Sequence, residues 1–393
     1  MIHVFLVNYF FRAGVRESIA TSKKAGIRVI MITGDHVETA TAIAKDLGII
    51  DENDPAQRRS MQGFEVDLLS EDILKLQKPF PVVFARVSPD NKLKIVKALQ
   101  GQGQSVVMTG DGVNDAPAIK QADVGVAMGI AGTEITKQAA DIVLANDDFT
   151  TIVYAVKEGR QVYDNILKFV VYLLSCNFAE VLLFLICVSV NLPLPFTTIQ
   201  ILWANIFADV PPALSLGLEP AEYDIMQRKP RDTKENVLTR KSIAVILFQA
   251  SLMTVIAYTV YHLSVYQSFA GADTKIKRES LTFISLTTMQ LVQSFLSRSI
   301  LNSVFVTGIR ENKILIGAFF LSYALLLIGL EAPVISSWLG LCDPGAWAWL
   351  VVFVCVLIQI VFVELFKLIM RTFFGEQKQY SSDATPKIVE LGQ

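Results

Sequence analysis

The feature that most constrains this chain is a series of long apolar runs in its second part, near residues 166–190, 196–216, 242–263, 281–298, 314–332 and 347–370. A helix rises about 1.5 Å per residue, so about 20 residues cross a hydrocarbon core of about 30 Å. The runs therefore predict six membrane-spanning helices with the lipid bilayer as their surroundings, and they exclude a single water-soluble globule. Charge follows the same division. Of the 35 basic and 37 acidic residues among 393, 39 fall in residues 1–165, about 24% of that stretch and a soluble-domain value, against about 14% beyond it. The formal net charge of −2 gives no basic excess that would suggest a nucleic-acid partner. Four cysteines, two inside apolar runs and two thirteen apart, have neither disulfide nor metal spacing.

In the soluble part, Arg28–Ile32, Pro81–Ala85, Ser105–Met108, Val124–Met128 and Asp141–Leu144 are short continuous apolar runs rich in Val and Ile. Continuous rather than alternating hydrophobicity suits strands buried on both faces of a parallel sheet. Val37–Leu47 and Asp90–Leu99 between them carry apolar residues at helical spacing. The expected class is a Rossmann-like α/β domain with ligands at the carboxyl ends of its strands, followed by an all-α membrane domain. Four segments result: an atypical 1–11, the α/β domain 12–165, the membrane domain 166–372, and a polar tail 373–393 expected to be disordered. The apolar start lacks a basic region and a cleavage site, so it reads as a chain joining something larger partway, and not as a signal peptide.

The segment 219–241 holds six Lys or Arg, whereas 191–195 and 332–346 hold none. By the positive-inside rule the chain is expected to be a multi-pass membrane protein with its α/β domain and carboxyl tail cytoplasmic. Lys275, Lys277 and Arg278 then fall on the outer side as a local exception.

Two strand ends share a punctuation, Thr33-Gly34-Asp35 and Thr109-Gly110-Asp111-Gly112-Val113-Asn114-Asp115. A hydroxyl followed by glycine lets backbone N–H groups approach an anion closely, which makes a phosphate cradle. Asp111 and Asp115 beside it are carboxylates of the kind that hold Mg²⁺ together with phosphate oxygens. Lys92, in Ser88-Pro89-Asp90-Asn91-Lys92, is placed to neutralise a phosphoryl group. A single Thr-Gly-Asp equally suits a strand-to-helix turn, and a single lysine equally suits a solvated helix face. The string from Thr109 to Pro117 is too rich in acid, amide and glycine for a structural turn alone.

Charges at membrane depth cost roughly 2.5–3.5 kcal/mol each and require a reason. Glu180 follows Asn177 by three residues and Asp209 follows Asn205 by four, so each pair is expected on one helix side. Counting from the loop at 191–196, Glu180, Asn205 and Asp209 lie about 13–19 Å deep, near the midplane. Pro211 and Pro212 lack N–H groups, so the carbonyls of Phe207 and Ala208 are expected to lose their helical partners. Together these make an oxygen site for a hard cation; a polar packing seam is the competing reading for either asparagine alone.

Thr33-Gly34-Asp35, the Lys92 segment and above all Thr109–Ala118 resemble the P-type cation-transporting ATPases of the haloacid-dehalogenase-like superfamily, and the resemblance runs over roughly residues 12–372. It implies that Thr33 and Gly34 contact the phosphoryl group with Asp35 alongside, that Lys92 stabilises it, and that Asp111 binds Mg²⁺. Asn114 and Asp115 complete the pocket. It further implies ATP as phosphoryl donor, bound mostly by an upstream part of the pump, and an aspartyl-phosphate formed on Asp-Lys-Thr-Gly-Thr. That string does not occur here. The expectation is a carboxyl-terminal portion that cannot turn over ATP alone, with the missing amino-terminal half as partner.

In the membrane the resemblance is to calcium pumps, with Asn177, Glu180, Asn205 and Asp209 at ligand positions. Ala208 stands where the two-site pumps have a ligand Thr, and Gln290 where they have a ligand Glu. Both changes remove oxygen or charge from one site, so a single Ca²⁺ or Mn²⁺ site is expected, with Na⁺, H⁺ or K⁺ coupling as the alternative. A non-catalytic membrane protein that binds cations or a partner is the competing class.

Overall fold

The structure is a computed structural model, and it describes residues 14–50, 60–231, 235–267, 274–300, 302–308, 310–374 and 387–392. Residues 1–11, read above as an atypical segment, lie outside the described residues. The chain divides into two compact units. The first comprises Met1–Arg160, Glu222–Lys234 and Ser381–Gln393, and the second Gln161–Ala221 and Glu235–Tyr380.

The first unit is built on an all-parallel sheet whose strands are β1 Ile27–Ile32, β2 Ser60–Gln62, β3 Val83–Ala85, β4 Val106–Gly110, β5 Val124–Met128, β6 Ile142–Leu144 and β7 Lys387–Gly392. Their spatial order is β2-β3-β1-β7-β4-β5-β6. Alternate side chains leave opposite faces of a strand. Accordingly Val29 and Met31 join one core with Ile19, Ala40 and Ala44, while Ile30 and Ile32 join another with Ile95, Leu99, Met108 and Ile119. Apart from Met108 of β4, helices supply these partners: α1 Val15–Lys24 and α2 Val37–Asp46 on the first face, α5 Pro89–Gly101 and α6 Ala116–Gln121 on the second. The short helices α3 Gly63–Leu68 and α4 Glu71–Lys75 precede β3, and α7 Glu134–Ala139 precedes β6. The doubly covered α/β class expected from the continuous apolar runs is what forms.

The tail is a correction. Within the segment expected to be disordered, Lys387–Gly392 forms β7, paired along all six residues of β1, because β1 and β4 would otherwise face each other across an unfilled strand position.

The second unit is helical. Among the described residues, five helices are long and apolar enough to cross a membrane: α8 Phe149–Ser189, the broken helix Thr198–Leu216, α11 Arg240–Gln267, α14 Lys313–Glu331 and α16 Ala346–Phe374. The broken helix consists of α9 Thr198–Trp203, a π turn Ala204–Asp209 and α10 Val210–Leu216. The sixth expected span is α12 Lys275–Leu296, which does not join the five. It carries Ser280, Thr282, Ser285, Thr287, Thr288, Gln290, Gln293 and Ser294 and is buried along most of its length, so its polarity faces other helices instead of lipid. The core is shared by Ala179 and Leu183 of α8, Met253 and Ala257 of α11, Leu281 and Met289 of α12, and Val352 and Cys355 of α16. Short helices α13 Val304–Thr307 and α15 Pro333–Leu339 complete the unit. The helical boundary differs from the composition boundary: α8 starts at Phe149, because its charged first turns are helical too.

Candidate functional site

The phosphate motifs lie at the carboxyl edge of the sheet. Thr33 follows β1 and is buried. Its hydroxyl donates to the Asp35 carboxylate at 3.0 Å and accepts the Asp35 N–H at 3.1 Å, a tight turn that leaves Gly34 and Asp35 exposed. The turn is tied to the end of β3. The Thr33 and Asp35 carbonyls accept from the N–H groups of Val87 (3.2 Å) and Arg86 (3.1 Å). A methyl group at Gly34 would meet nothing within 4 Å, so the cradle is open on that side.

Lys92 reaches its place because α5 starts nearby: Ser88 caps it, Asn91 completes a capping box and Pro89 takes the first turn. Its Nζ contacts Asp115 Oδ1 at 2.5 Å, both side chains buried. Asp115 Oδ2 also accepts the Gly112 N–H at 3.2 Å. A Cβ on Gly110 would stand 2.6 Å from Asp115, so glycine here makes room for that carboxylate. Asp111 is only half-buried and its carboxylate makes no hydrogen bond among the described residues, while Asn114 is exposed. The seven phosphate-site residues thus separate into three buried ones, Thr33 and the anchored pair Lys92–Asp115, and four outward ones, Gly34, Asp35, Asp111 and Asn114.

One free carboxylate beside open backbone fits Mg²⁺, which takes one or two carboxylates together with phosphate oxygens. Thr136 was not found from the sequence. Its hydroxyl contacts the carbonyls of Gly112 (2.9 Å) and Asp111 (3.3 Å) and fixes the loop that presents Asp111.

In the helical unit, Glu180 of α8 is buried and receives two amides: Gln290 Nε2 on Oε1 at 2.9 Å and Asn205 Nδ2 on Oε2 at 3.4 Å. Asp209 closes the π turn that opens beside Asn205. In a π turn bonds run from i to i+5, which keeps residues four apart on one side and opens the backbone before Pro211 and Pro212. Asp209 Oδ1 accepts from the Tyr172 hydroxyl at 3.1 Å. Asp209 Oδ2 and Gln290 Oε1 are fully buried without a hydrogen-bond partner. No grouping of three or more His, Cys, Asp or Glu occurs among the described residues, so the candidate site is two carboxylates with amide oxygens.

Asn177 does not join them. Its side chain is exposed and bonds back to its own helix, donating to the Leu173 carbonyl at 2.8 Å. Tyr172 was missed in the sequence reading, although Tyr172, Cys176 and Glu180 repeat at four-residue spacing on one helix face.

Comparison with known proteins finds matches across both parts of the chain. Residues 193–369 match the family described as cation transporting ATPase, C-terminus. Residues 3–123 and 92–156 match haloacid dehalogenase-like hydrolases. A calcium-transporting ATPase of Bacillus subtilis is 44% identical over 341 residues, 86% of this chain and 37% of that protein. Calcium-transporting ATPase 1 of Bacillus cereus is 40% identical over 369 residues, 91% of this chain and 41% of that protein. The calcium-transporting ATPase type 2C member 1 of Bos taurus is 39% identical over 302 residues, 77% and 31% respectively. This chain is a relative of the P-type cation-transporting ATPases. It spans about two fifths or less of the length of these relatives.

Proposed function

We propose that this chain is the phosphoryl-handling and cation-binding portion of an ATP-driven pump that carries Ca²⁺, with Mn²⁺ as an accepted substitute, across a bilayer. The observation that carries the reading is the pair of buried, partnerless oxygens, Asp209 Oδ2 and Gln290 Oε1, near a Glu180 carboxylate held only by amides. Unsatisfied buried oxygens cost about 1–3 kcal/mol each, and a hard cation is the ligand that satisfies several at once. One such cluster supports a single divalent site, and the Tyr172 hydroxyl holds the other Asp209 oxygen in position.

On the sheet edge, the Thr33 hydroxyl and the N–H groups around Gly34 bind and orient a phosphoryl group. Lys92 holds the Asp115 carboxylate in place beside Gly110. Asp111 would hold Mg²⁺, which supplies charge neutralisation on phosphate oxygens when bound. The acceptor motif Asp-Lys-Thr-Gly-Thr is absent from these 393 residues, so the phosphorylated carboxylate has to come from other sequence. The reading puts the sheet unit on the cytoplasmic side.

The test is equilibrium binding of labelled Ca²⁺ to the chain in lipid nanodiscs. The expected result is one saturable site per chain, displaced by Mn²⁺, and weakened at least tenfold, about 1.4 kcal/mol, by Glu180→Gln or Asp209→Asn. Absence of saturable binding, or equal affinity in both variants, would overturn it. Labelled ATP is expected to leave no hydroxylamine-sensitive phosphoprotein on this chain alone, and to leave one on a co-expressed polypeptide that supplies the acceptor motif.

A further inference from the structure

Glu219 is buried in the helical unit, and neither the phosphate site nor the cation cluster uses it. It stands just past α10. The N–H groups of Gly217, Leu218 and Glu219 donate to the carbonyls of Leu214, Ser215 and Leu216, so Glu219 is a hydrogen-bonded extension of that helix. Its carboxylate has two partners. Oε1 accepts from Arg298 Nε at 2.8 Å, with Arg298 Nη2 2.6 Å away, and Oε2 accepts from Asn312 Nδ2 at 2.6 Å. The Glu219 carbonyl accepts from Asn165 Nδ2 at 2.7 Å and from Gln161 Nε2 at 3.0 Å. Arg298 also donates from Nη1 to the Gly308 carbonyl at 2.7 Å, and Asn312 donates to the Ser215 carbonyl at 3.1 Å.

These contacts reach every helix that carries a member of the cation cluster. Asn165 lies on α8 with Glu180, Glu219 ends the broken helix that carries Asn205 and Asp209, and Arg298 follows the end of α12, which carries Gln290. At 1.5 Å per residue, these contacts lie roughly 12–22 Å from the cluster along each helix, too far to touch a bound cation.

Two features give such a hub a role. α10 is only 7 residues long, and the π turn before it interrupts the α-helical ladder that would tie it to α9. Asp209, at that junction, is therefore held in register from the Glu219 end of α10. The second feature is the ion pair. A buried pair contributes little net stability, because desolvation offsets most of the attraction. What it does supply is geometry: guanidinium donors form a rigid planar fork, so bonds to Glu219 and to the Gly308 carbonyl together restrict how α10 can sit against α12.

We propose that Glu219 is a positioning residue. Through Arg298 and Asn165 it holds the helices that bear Glu180, Asp209 and Gln290 in the register that brings their oxygens together, and it sets cation affinity without touching the cation. This rests on the cation-binding reading above.

The test is labelled Ca²⁺ binding to the full chain in nanodiscs, read both as affinity and as number of sites per chain, beside the tryptophan-detected melting midpoint without Ca²⁺. Glu219→Leu with Arg298→Leu removes the clamp and leaves neither charge of the pair behind. The expected result is the parent's number of sites, an unchanged midpoint and an affinity at least fivefold weaker. Glu219→Gln with Arg298→Gln rebuilds a neutral hydrogen-bonded bridge in the same place and is expected to bring the affinity back to within twofold of the parent. A role confined to folding predicts a different split: fewer sites per chain at unchanged affinity, in step with a lower midpoint. Asn165→Leu keeps the ion pair and removes only a tie from α8. It is expected to weaken binding at least threefold, and it decides the matter if the leucine pair does not fold. Parent-like affinity in the folded leucine pair, or in Asn165→Leu where that pair is unfolded, overturns the proposal, and so does a glutamine pair as weak as the leucine pair. Absence of saturable binding in the parent refutes the cation reading and this proposal with it, whereas a parent that binds and variants of equal affinity refute this proposal alone.

Discussion

Lys92 and Asp115 show how much a single buried contact decides at the phosphate site. Removing one partner of a buried ion pair leaves an uncompensated charge at a cost of roughly 3–5 kcal/mol, whereas replacing both by apolar groups is often neutral. Lys92→Met is expected to destabilise the first unit by that amount, and Lys92→Met with Asp115→Leu by much less. Hydrogen exchange of the β4 amides in urea checks both. At the cation site, Gln290→Glu converts a partnerless amide oxygen into a carboxylate. The added acid must lose its proton before it can bind a cation. Ca²⁺ affinity is therefore expected to rise at neutral pH and to fall more steeply than in the parent as pH decreases, measured by labelled Ca²⁺ binding across a pH series. The residues that the sequence exposed were those whose cost is visible in one dimension: Glu180 and Asp209 at membrane depth, and the Thr-Gly-Asp strand ends. Thr136 stayed hidden because it acts through carbonyls 24 and 25 residues away, which no spacing rule encodes. Asn177 was placed at the site by helical spacing, but a short amide on a helix can bond its own preceding turn instead.

At the scale of elements, the broken helix Thr198–Leu216 depends on its prolines. Pro211 and Pro212 stand in the first turn of α10, where a missing N–H is tolerated, and they prevent an unbroken α-helical ladder from running back through Ala204–Asp209. Pro211→Ala with Pro212→Ala restores those donors, so the π turn is expected to tighten to α-helix, rotating Asn205 relative to Asp209. Ca²⁺ affinity should drop at least tenfold while circular dichroism shows no loss of helix. The interruption was legible from the proline pair; its form as a π turn was not, because that depends on how neighbouring helices press on the widened backbone. α12 was read as a span by length, but its serines, threonines and glutamines belong to a helix enclosed by others, with Gln293 bonded to Gln359 of α16 at 3.0 Å. β7 was illegible for the opposite reason. Its short, charged-interrupted sequence lacks the pattern of a central strand, and only the gap between β1 and β4 calls for it.

At the scale of the whole molecule, the two units can be followed separately by one optical property. All four tryptophans, Trp203, Trp338, Trp347 and Trp349, belong to the helical unit, so their fluorescence reports that unit's unfolding and nothing of the sheet. A ligand that binds only the folded state stabilises it by RT ln(1 + [L]/Kd), about 2.7 kcal/mol at a hundred times Kd. If Glu180, Asp209 and Gln290 form a Ca²⁺ site, saturating Ca²⁺ raises the tryptophan-detected midpoint by an amount that grows with the logarithm of its concentration. Glu180→Gln is expected to be at least as stable as the parent without Ca²⁺, since it removes a buried carboxylate, and to lose most of the Ca²⁺-dependent rise. A polar packing seam predicts the reverse pattern: no Ca²⁺ dependence in either protein, and a less stable variant because the amide pairs on Glu180 are disturbed. The sign of the variant's change without Ca²⁺ and the slope with Ca²⁺ are separate readouts, so one melting series distinguishes a site that awaits a cation from a contact that only joins helices.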